Sequence, residues 1–121
     1  MVRPWTVDFY EGESGRAILL DEIRDLLTNT QLARFRKRIE RLELYGPALD
    51  ADYFDNVAGS TVGLKEFRVR LEKVAFPVLF SLEPERTYVM LVAYKEQSGG
   101  IPKANVETAE NRLLEWRRRK L

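Results

Sequence analysis

The 121-residue sequence contains no cysteine and no histidine. Without cysteine there is no disulfide, no thiolate nucleophile and no thiolate metal site. The lack suits a reducing cytosol without requiring one. Without histidine, imidazole ligation and the commonest general acid–base are both excluded, so any proton transfer falls to carboxylate, lysine, tyrosine or arginine. No apolar run approaches the ~20 residues that span a bilayer. The first residues, Met1-Val2-Arg3-Pro4-Trp5, lack the apolar core of a signal peptide. The expectation is a cytoplasmic protein with no membrane partner, no metal and no cofactor. Excess charge of one sign is missing too. Twenty basic against 19 acidic side chains leave +1, and the isoelectric point of about 8.0 lies below the ~9 common in nucleic-acid-binding domains.

What is present fits an ordinary globular chain, with 45% hydrophobic and 32% charged residues. The length allows one domain over residues 1–121, with one core. Trp5-Thr6-Val7-Asp8-Phe9-Tyr10 alternates apolar and polar side chains and predicts a short half-buried strand, with Thr6, Asp8 and Tyr10 on the polar side. Glu11-Gly12-Glu13-Ser14-Gly15 is a turn cluster in which Ser14 is the expected helix cap. From Arg16, Leu19, Ile23, Leu26 and Leu27 recur at helical spacing. Thr28-Asn29-Thr30 offers a second cap, and a second helix follows with Leu32, Phe35, Ile39 and Leu42 on one face. Arg34, Lys37, Arg38 and Arg41 lie mostly on the others. These helices predict an αα-hairpin that ends at Tyr45-Gly46-Pro47.

Residues 48–62, with Asp50, Asp52, Asp55, Gly59 and Ser60, read as an acidic surface loop long enough to be functional. Three strands are expected next. In Leu64–Leu71, Phe67, Val69 and Leu71 face one way and Glu66, Arg68 and Arg70 the other. Val74–Leu82 is almost continuously apolar, as in a strand buried on both faces. Glu83-Pro84-Glu85-Arg86 turns into Thr87–Tyr94. Pro102 is placed to start a last helix over 103–119, with Val106, Ala109, Leu113 and Trp116 as its buried stripe. The expected order is β-α-α-β-β-β-α, an α+β fold.

Arg68 and Arg70, two apart on one strand, project from the same sheet face. Lys65 and Lys73 are near in sequence, and Tyr94-Lys95 ends the last strand. Such groups could hold a phosphodiester and orient a base. Equally, exposed strand faces often carry arginine paired with glutamate, and Glu66 and Glu72 are available; that is the commoner outcome of such a pattern. Arg117, Arg118, Arg119 and Lys120 either complement the dipole of the last helix for ~0.3–1 kcal/mol or contact RNA phosphates.

Four local patterns in order resemble the RelE/HigB family of toxins from bacterial toxin–antitoxin pairs, in its phage-derived HigB-like branch. Gly63-Leu64-Lys65-Glu66-Phe67-Arg68-Val69 resembles the family's G-L-x-E-L-R strand. Phe76-Pro77-Val78-Leu79-Phe80 stands in the place of its Y-R-V-x-Y strand, and Val89 to Lys95 in that of V-x-L-L-H-x-F-x-K-K. Ile101-Pro102-Lys103 and Val106 to Arg112 match its T-P-x-x-E-I-x-x-A-x-x-R helix. The resemblance covers residues 63–119. It implies a RelE-like fold: a small, twisted, mainly antiparallel sheet with an N-terminal αα-hairpin and a C-terminal helix. It also implies a ribosome-dependent mRNA endoribonuclease that cuts by 2′-OH attack without metal, held by a cognate antitoxin, with DNA reached only through that antitoxin. Arg68 and Arg70 would stabilise charge on the phosphorane, with Tyr94 or Lys95 stacking or assisting. Lys65, Lys73, Arg117, Arg118, Arg119 and Lys120 would bind RNA. The sequence departs from the family at Pro77, where the middle strand carries arginine, at Ala93 in place of histidine, and at Glu96 in place of lysine. Phe76 and Phe80 replace its flanking phenols. A non-catalytic module that pairs with an antitoxin and its operator, and a phage-derived interaction protein without a nucleic-acid role, are the competing readings.

Overall fold

The computed structural model describes residues 2–49, 53–58 and 60–121. Asp50, Asp52 and Gly59 of the expected acidic loop lie outside the described residues. The fold is mixed α+β. Strand β1 (Thr6–Phe9) is followed by helices α1 (Ile18–Leu26) and α2 (Asn29–Tyr45) and a 3₁₀ turn at Gly46–Ala48. Strands β2 (Phe54–Asn56), β3 (Lys65–Phe67), β4 (Arg70–Leu71), β5 (Val74–Ala75), β6 (Val78–Glu83) and β7 (Thr87–Ala93) come next, and α3 (Lys103–Arg119) closes the chain. Five strands make one sheet in the order β1-β7-β6-β3-β2, and β4 and β5 form a separate ribbon. Only the β1–β7 pair in the five-stranded sheet is parallel.

The strand pattern is more broken than the alternation suggests. Residues 48–62 contain an edge strand, β2, rather than loop alone. The expected Leu64–Leu71 strand divides into β3 and β4, and Val74–Leu82 divides into β5 and β6. Pro77 supplies the reason for the second break, because it has no N–H to give to a ladder. The backbone N–H groups of Arg68 and Phe76 turn instead to the carbonyls of Tyr53 and Val69. The side-chain alternation survives: Phe67, Val69 and Leu71 are buried, whereas Arg68 and Arg70 are exposed.

Thr28 caps α2 in a capping box with Gln31, as the sequence suggests. Ser14 does not cap α1. That helix begins at Ile18 with no side-chain cap, because the backbone of Gly12 to Arg16 closes on its own hydrogen bonds before the helix starts. Gly46, at φ 51°, ends α2 where a Cβ would stand 2.3 Å from the Trp5 ring; no larger residue fits there.

The αα-hairpin packs on one sheet face and α3 on the other. Leu19, Ile23, Phe35, Ile39 and Leu42 meet Phe67, Val78, Phe80, Tyr88 and Met90. Ala109 and Leu113 meet Leu79, Val89 and Leu91. β6 and β7 are therefore buried on both faces, which explains the unbroken apolar run in β6. Leu82, 41% exposed, is its exception. β7 carries one residue more than β6 between Met90 and Val92, a bulge at Leu91.

Tyr10 leaves its expected polar side. The strand ends at Phe9, and the Tyr10 ring turns into the core with its hydroxyl donating to Glu115 at 2.7 Å. The guanidinium groups of Arg112 and Arg119 stand over this ring, 5.0 and 5.6 Å from its centre. Trp116 Nε1 donates to Asp8 at 2.8 Å, and Arg112 forks onto Glu22 across the sheet edge. Arg117 donates from Nε and Nη2 to the buried Glu83 at 2.7 and 3.0 Å, and Ser81 Oγ also donates to it. The last helix is thus fastened by its polar residues as much as by its apolar stripe.

The Arg117 fork holds the Glu83 carboxyl below its ordinary value of 4.5 against the opposing effect of burial. A depressed carboxyl stabilises the fold fully above its unfolded value, and that contribution is lost as pH falls through the folded one. Arg117→Ala is expected to cost about 1–3 kcal/mol in denaturant unfolding near neutral pH, since it leaves a buried carboxylate without its cation. Glu83→Gln should flatten the fall in stability below about pH 4.5. An unchanged acid limb would show that the pair contributes nothing.

Candidate functional site

β3, β4 and the residues around Pro77 border an open cleft of about 740 Å³. Its lining includes Arg38 from α2, Tyr53 and Asp55 from the β2 edge, Glu66, Arg68 and Arg70, and Pro77 and Glu96. Glu66, Arg68 and Pro77 alternate with the buried Phe67, Val69, Phe76 and Val78, so they project from the face opposite the αα-hairpin. Tyr94, which packs in the cluster beneath α3, belongs to that same face.

Arg68 donates from Nη2 to Asp55 Oδ2 at 2.7 Å. Both side chains are about half exposed, and an exposed pair of this kind is held weakly enough to be exchanged for a ligand. Arg68 holds the Asp55 carboxyl below the usual range, chiefly through that hydrogen bond. The acid expected to pair with it, Glu66, is engaged elsewhere: it accepts the Tyr94 hydroxyl at 2.7 Å. Among the described residues Arg70 Nη1 reaches the Lys73 carbonyl, at 3.4 Å. Arg38 lies over the Tyr53 ring, 5.0 Å from its centre, and Tyr53 also stacks with Phe67.

Three cations, Arg38, Arg68 and Arg70, therefore share the cleft with three acids, Asp55, Glu66 and Glu96. Such a cleft can grip a phosphate through positioned guanidinium groups, but it does not attract one from a distance by net charge. Among the described residues the acids do not converge as a metal-binding group.

The structure brings Arg68 and Arg70 together and separates the rest of the expected set. Lys65 shares its side of β3 with Phe67, so it projects away from Arg68. Lys73 sits at the tip of the β4–β5 turn, where Glu72 and Lys73 both take left-handed backbone at φ 52° and 71°, the geometry of a tight two-residue hairpin. Lys95 is exposed and does not line the cleft. Tyr94 is buried and hydrogen-bonded to Glu66, so its ring offers no face for a base to stack on. Arg117, Arg119 and Lys120 are taken up by Glu83, by Glu115 and by the Trp116 ring respectively. That places them beneath the sheet with α3 rather than at the cleft. Arg118 is exposed on the same helix.

Arg38, Tyr53 and Asp55 escaped the sequence reading of the site. Arg38 was legible as part of a basic helix face, but nothing local tied that face to β3. Residues 21–114 match the Gp49-like family of phage-derived proteins (DUF891). No curated protein matches the chain.

Burial pushes the Tyr88 phenol up to about 12. It pushes that of Tyr94 up as well, with the hydrogen bond to Glu66 and the negative charges of Glu66 and Glu96 adding to the effect. Tyr94 is thus a weaker acid than an ordinary phenol. A spectrophotometric titration of Tyr94→Phe should superpose on that of the wild type through the ordinary tyrosine range near about 10. Loss of one ionising group in that range would place the phenol in open solvent instead.

Proposed function

The chain belongs to the Gp49-like family of phage-derived proteins, a family of RelE/HigB-like toxins, and from that premise we propose that it is a toxin cleaving mRNA on the ribosome. The observation that carries the reading is the convergence of Arg38, Arg68 and Arg70 on one open cleft beside the hydrogen-bonded Glu66–Tyr94 pair. In the reaction proposed, a ribose 2′-oxygen attacks the adjacent phosphorus. The O2′–P bond forms and the P–O5′ bond breaks, leaving a 2′,3′-cyclic phosphate and a 5′-hydroxyl. Glu66 accepts the 2′-OH proton, and water supplies the proton taken up by the departing 5′-oxygen. Arg70, and Arg68 once it exchanges Asp55 for phosphate, stabilise the charge that builds on the phosphorane. Tyr94, too weak an acid to protonate a leaving group, acts as a positioning residue that holds Glu66 in place.

An antitoxin partner follows from the family, and the proposal includes a cytoplasmic site of action, with DNA reached only through the antitoxin. Among the described residues no helix is long and apolar enough to cross a membrane. A second reading, a module that pairs with its antitoxin but no longer cuts, is favoured by two observations. Pro77 stands where the family carries arginine, and the acids in the cleft equal the cations.

A toxicity assay, mRNA cleavage on ribosomes and thermal melts separate the two. Arg68→Ala, Arg70→Ala and Glu66→Gln are each expected to slow cleavage by about 10²–10³-fold. The arginine variants should melt close to the wild type, because both side chains are exposed. Arg70→Lys should rescue only partly, since an ammonium makes no bidentate contact. Pro77→Arg should leave cleavage equal or raise it. Folded arginine variants that remain fully toxic would sink the site, and a folded wild type that binds antitoxin without cutting would establish the module.

A further inference from the structure

Apart from β3 and the C-terminus, α2 carries a stripe of basic side chains of its own. At 100° per residue, Arg34, Lys37, Arg38, Arg41 and Tyr45 fall within one narrow sector of the helix. The buried Phe35, Ile39 and Leu42 border it on one side. Of the acids of α2, Glu43 lies beyond that apolar face and is occupied by Arg3 at 2.6 Å, while Glu40 flanks the stripe on its other side, one turn from Lys37. Arg34, Lys37 and Arg41 are exposed. Among the described residues none of the four cations enters an ion pair, whereas Arg68, Arg112, Arg117 and Arg119 all do.

The stripe is continuous with the cleft. Arg38 belongs to both. Arg41 stands over the exposed Tyr45 ring at 5.7 Å, and the two share a shallow depression with Tyr53, which also lines the cleft. From Arg34 to Arg41 the stripe runs about 10 Å along the helix. Cations outside any ion pair, interleaved with tyrosine rings and leading to a cleft, fit a polyanion with planar bases better than a protein segment. A partner helix or strand needs apolar anchors, and those are found elsewhere, in the groove between α1, α2 and β1 lined by Phe9, Ile23, Leu32 and Phe35.

We propose that Arg34, Lys37, Arg38 and Arg41 form a track for the RNA sugar–phosphate backbone that leads past Tyr45 and Tyr53 into the cleft. The proposal rests on the RNA-cleaving reading above for the identity of the polyanion. It assigns α2 the affinity and the β3–β4 cleft the chemistry.

The test is fluorescence anisotropy of the full chain with a labelled single-stranded RNA bearing 2′-O-methyl riboses, which binds but cannot be cut. For the wild type, log K should fall against log salt with a slope of about −3, near 0.7 for each cation engaged. The triple variant Arg34→Gln/Lys37→Gln/Arg41→Gln, confirmed as folded by circular dichroism, should bind at least tenfold more weakly at low salt and lose about 2 units of slope. Arg34→Lys/Arg41→Lys should keep the slope, because phosphate contacts need charge more than shape. Wild-type affinity and slope in the triple variant would overturn the track. So would a triple variant that keeps RNA but loses the cognate antitoxin, which would assign the stripe to an acidic protein segment. Failure of the cleavage reading looks different: the methylated strand still binds through the stripe, yet unmodified mRNA on ribosomes stays whole.

Discussion

β6 has to start after Pro77, because a proline nitrogen carries no hydrogen to give to a neighbouring strand. Upstream, the chain cannot continue the five-stranded ladder, and residues 70–75 fold back on themselves as the β4–β5 ribbon. The gap between ribbon and sheet is the cleft, with Pro77 in its lining. The position is not loosely held. The Pro77 carbonyl still accepts from the Tyr94 N–H, and Phe76 and Pro77 are both buried. An arginine there would project from the same face as Arg68. The proline gives up that guanidinium and keeps the break in the ladder, so the cleft survives with a different electrostatic character.

That character follows from how the charges are distributed. The basic run at residues 117–120 is conspicuous in the sequence and mostly consumed in the fold. Arg117 is spent on Glu83, Arg119 on Glu115 and the Glu11 carbonyl, and Lys120 covers Trp116. These contacts hold α3 against the sheet, and α3 in turn supplies Ala109 and Leu113 to bury the second face of β6 and β7. Charge that anchors a helix is screened by its partner and projects little field into solvent. A net charge near zero therefore conceals an uneven surface, with acids placed where cations need partners and with Arg34, Lys37, Arg38 and Arg41 of α2 outside any ion pair among the described residues.

The fold was legible wherever one side-chain period dominated. The 3.6-residue pattern in 16–45 and 103–119 located the three helices, and Thr28 and Gly46 marked real ends. Period-2 alternation identified the buried set Phe67, Val69 and Leu71 correctly even though the strand carrying it is broken. Alternation reports which way side chains face, not whether the backbone is hydrogen-bonded, so it could not see the split between β3 and β4. Ser14 misled because a serine before a helical run caps it only when the chain is free to place it there, and the Gly12–Arg16 backbone is already closed. Tyr10 misled because strand alternation stops at the strand's end. Of the expected site, Arg68 and Arg70 were legible from spacing alone. Lys65, Lys73 and Lys95 were near them only in sequence, since a strand sends successive residues to opposite faces and a hairpin tip points away. Arg38 and Asp55 come from elements 30 and 13 residues before Arg68, and no local pattern links such distances.

On the proposed reading, a cleft with balanced charge beside a basic helix face separates two demands that a nuclease must meet. Affinity for a polyanion comes from counterion release and needs only cations spaced along the backbone, whatever they face. Chemistry needs fixed groups at one phosphate, and there a crowd of cations would be a hindrance. Glu66 shares the cleft with Asp55, Glu96 and the arginines, and the Tyr94 hydroxyl holds it by one hydrogen bond. Placing the long-range attraction on α2 lets the cleft keep its acids. Arg38, with its guanidinium resting on Tyr53 and its side chain in the lining of the cleft, is where the two surfaces meet.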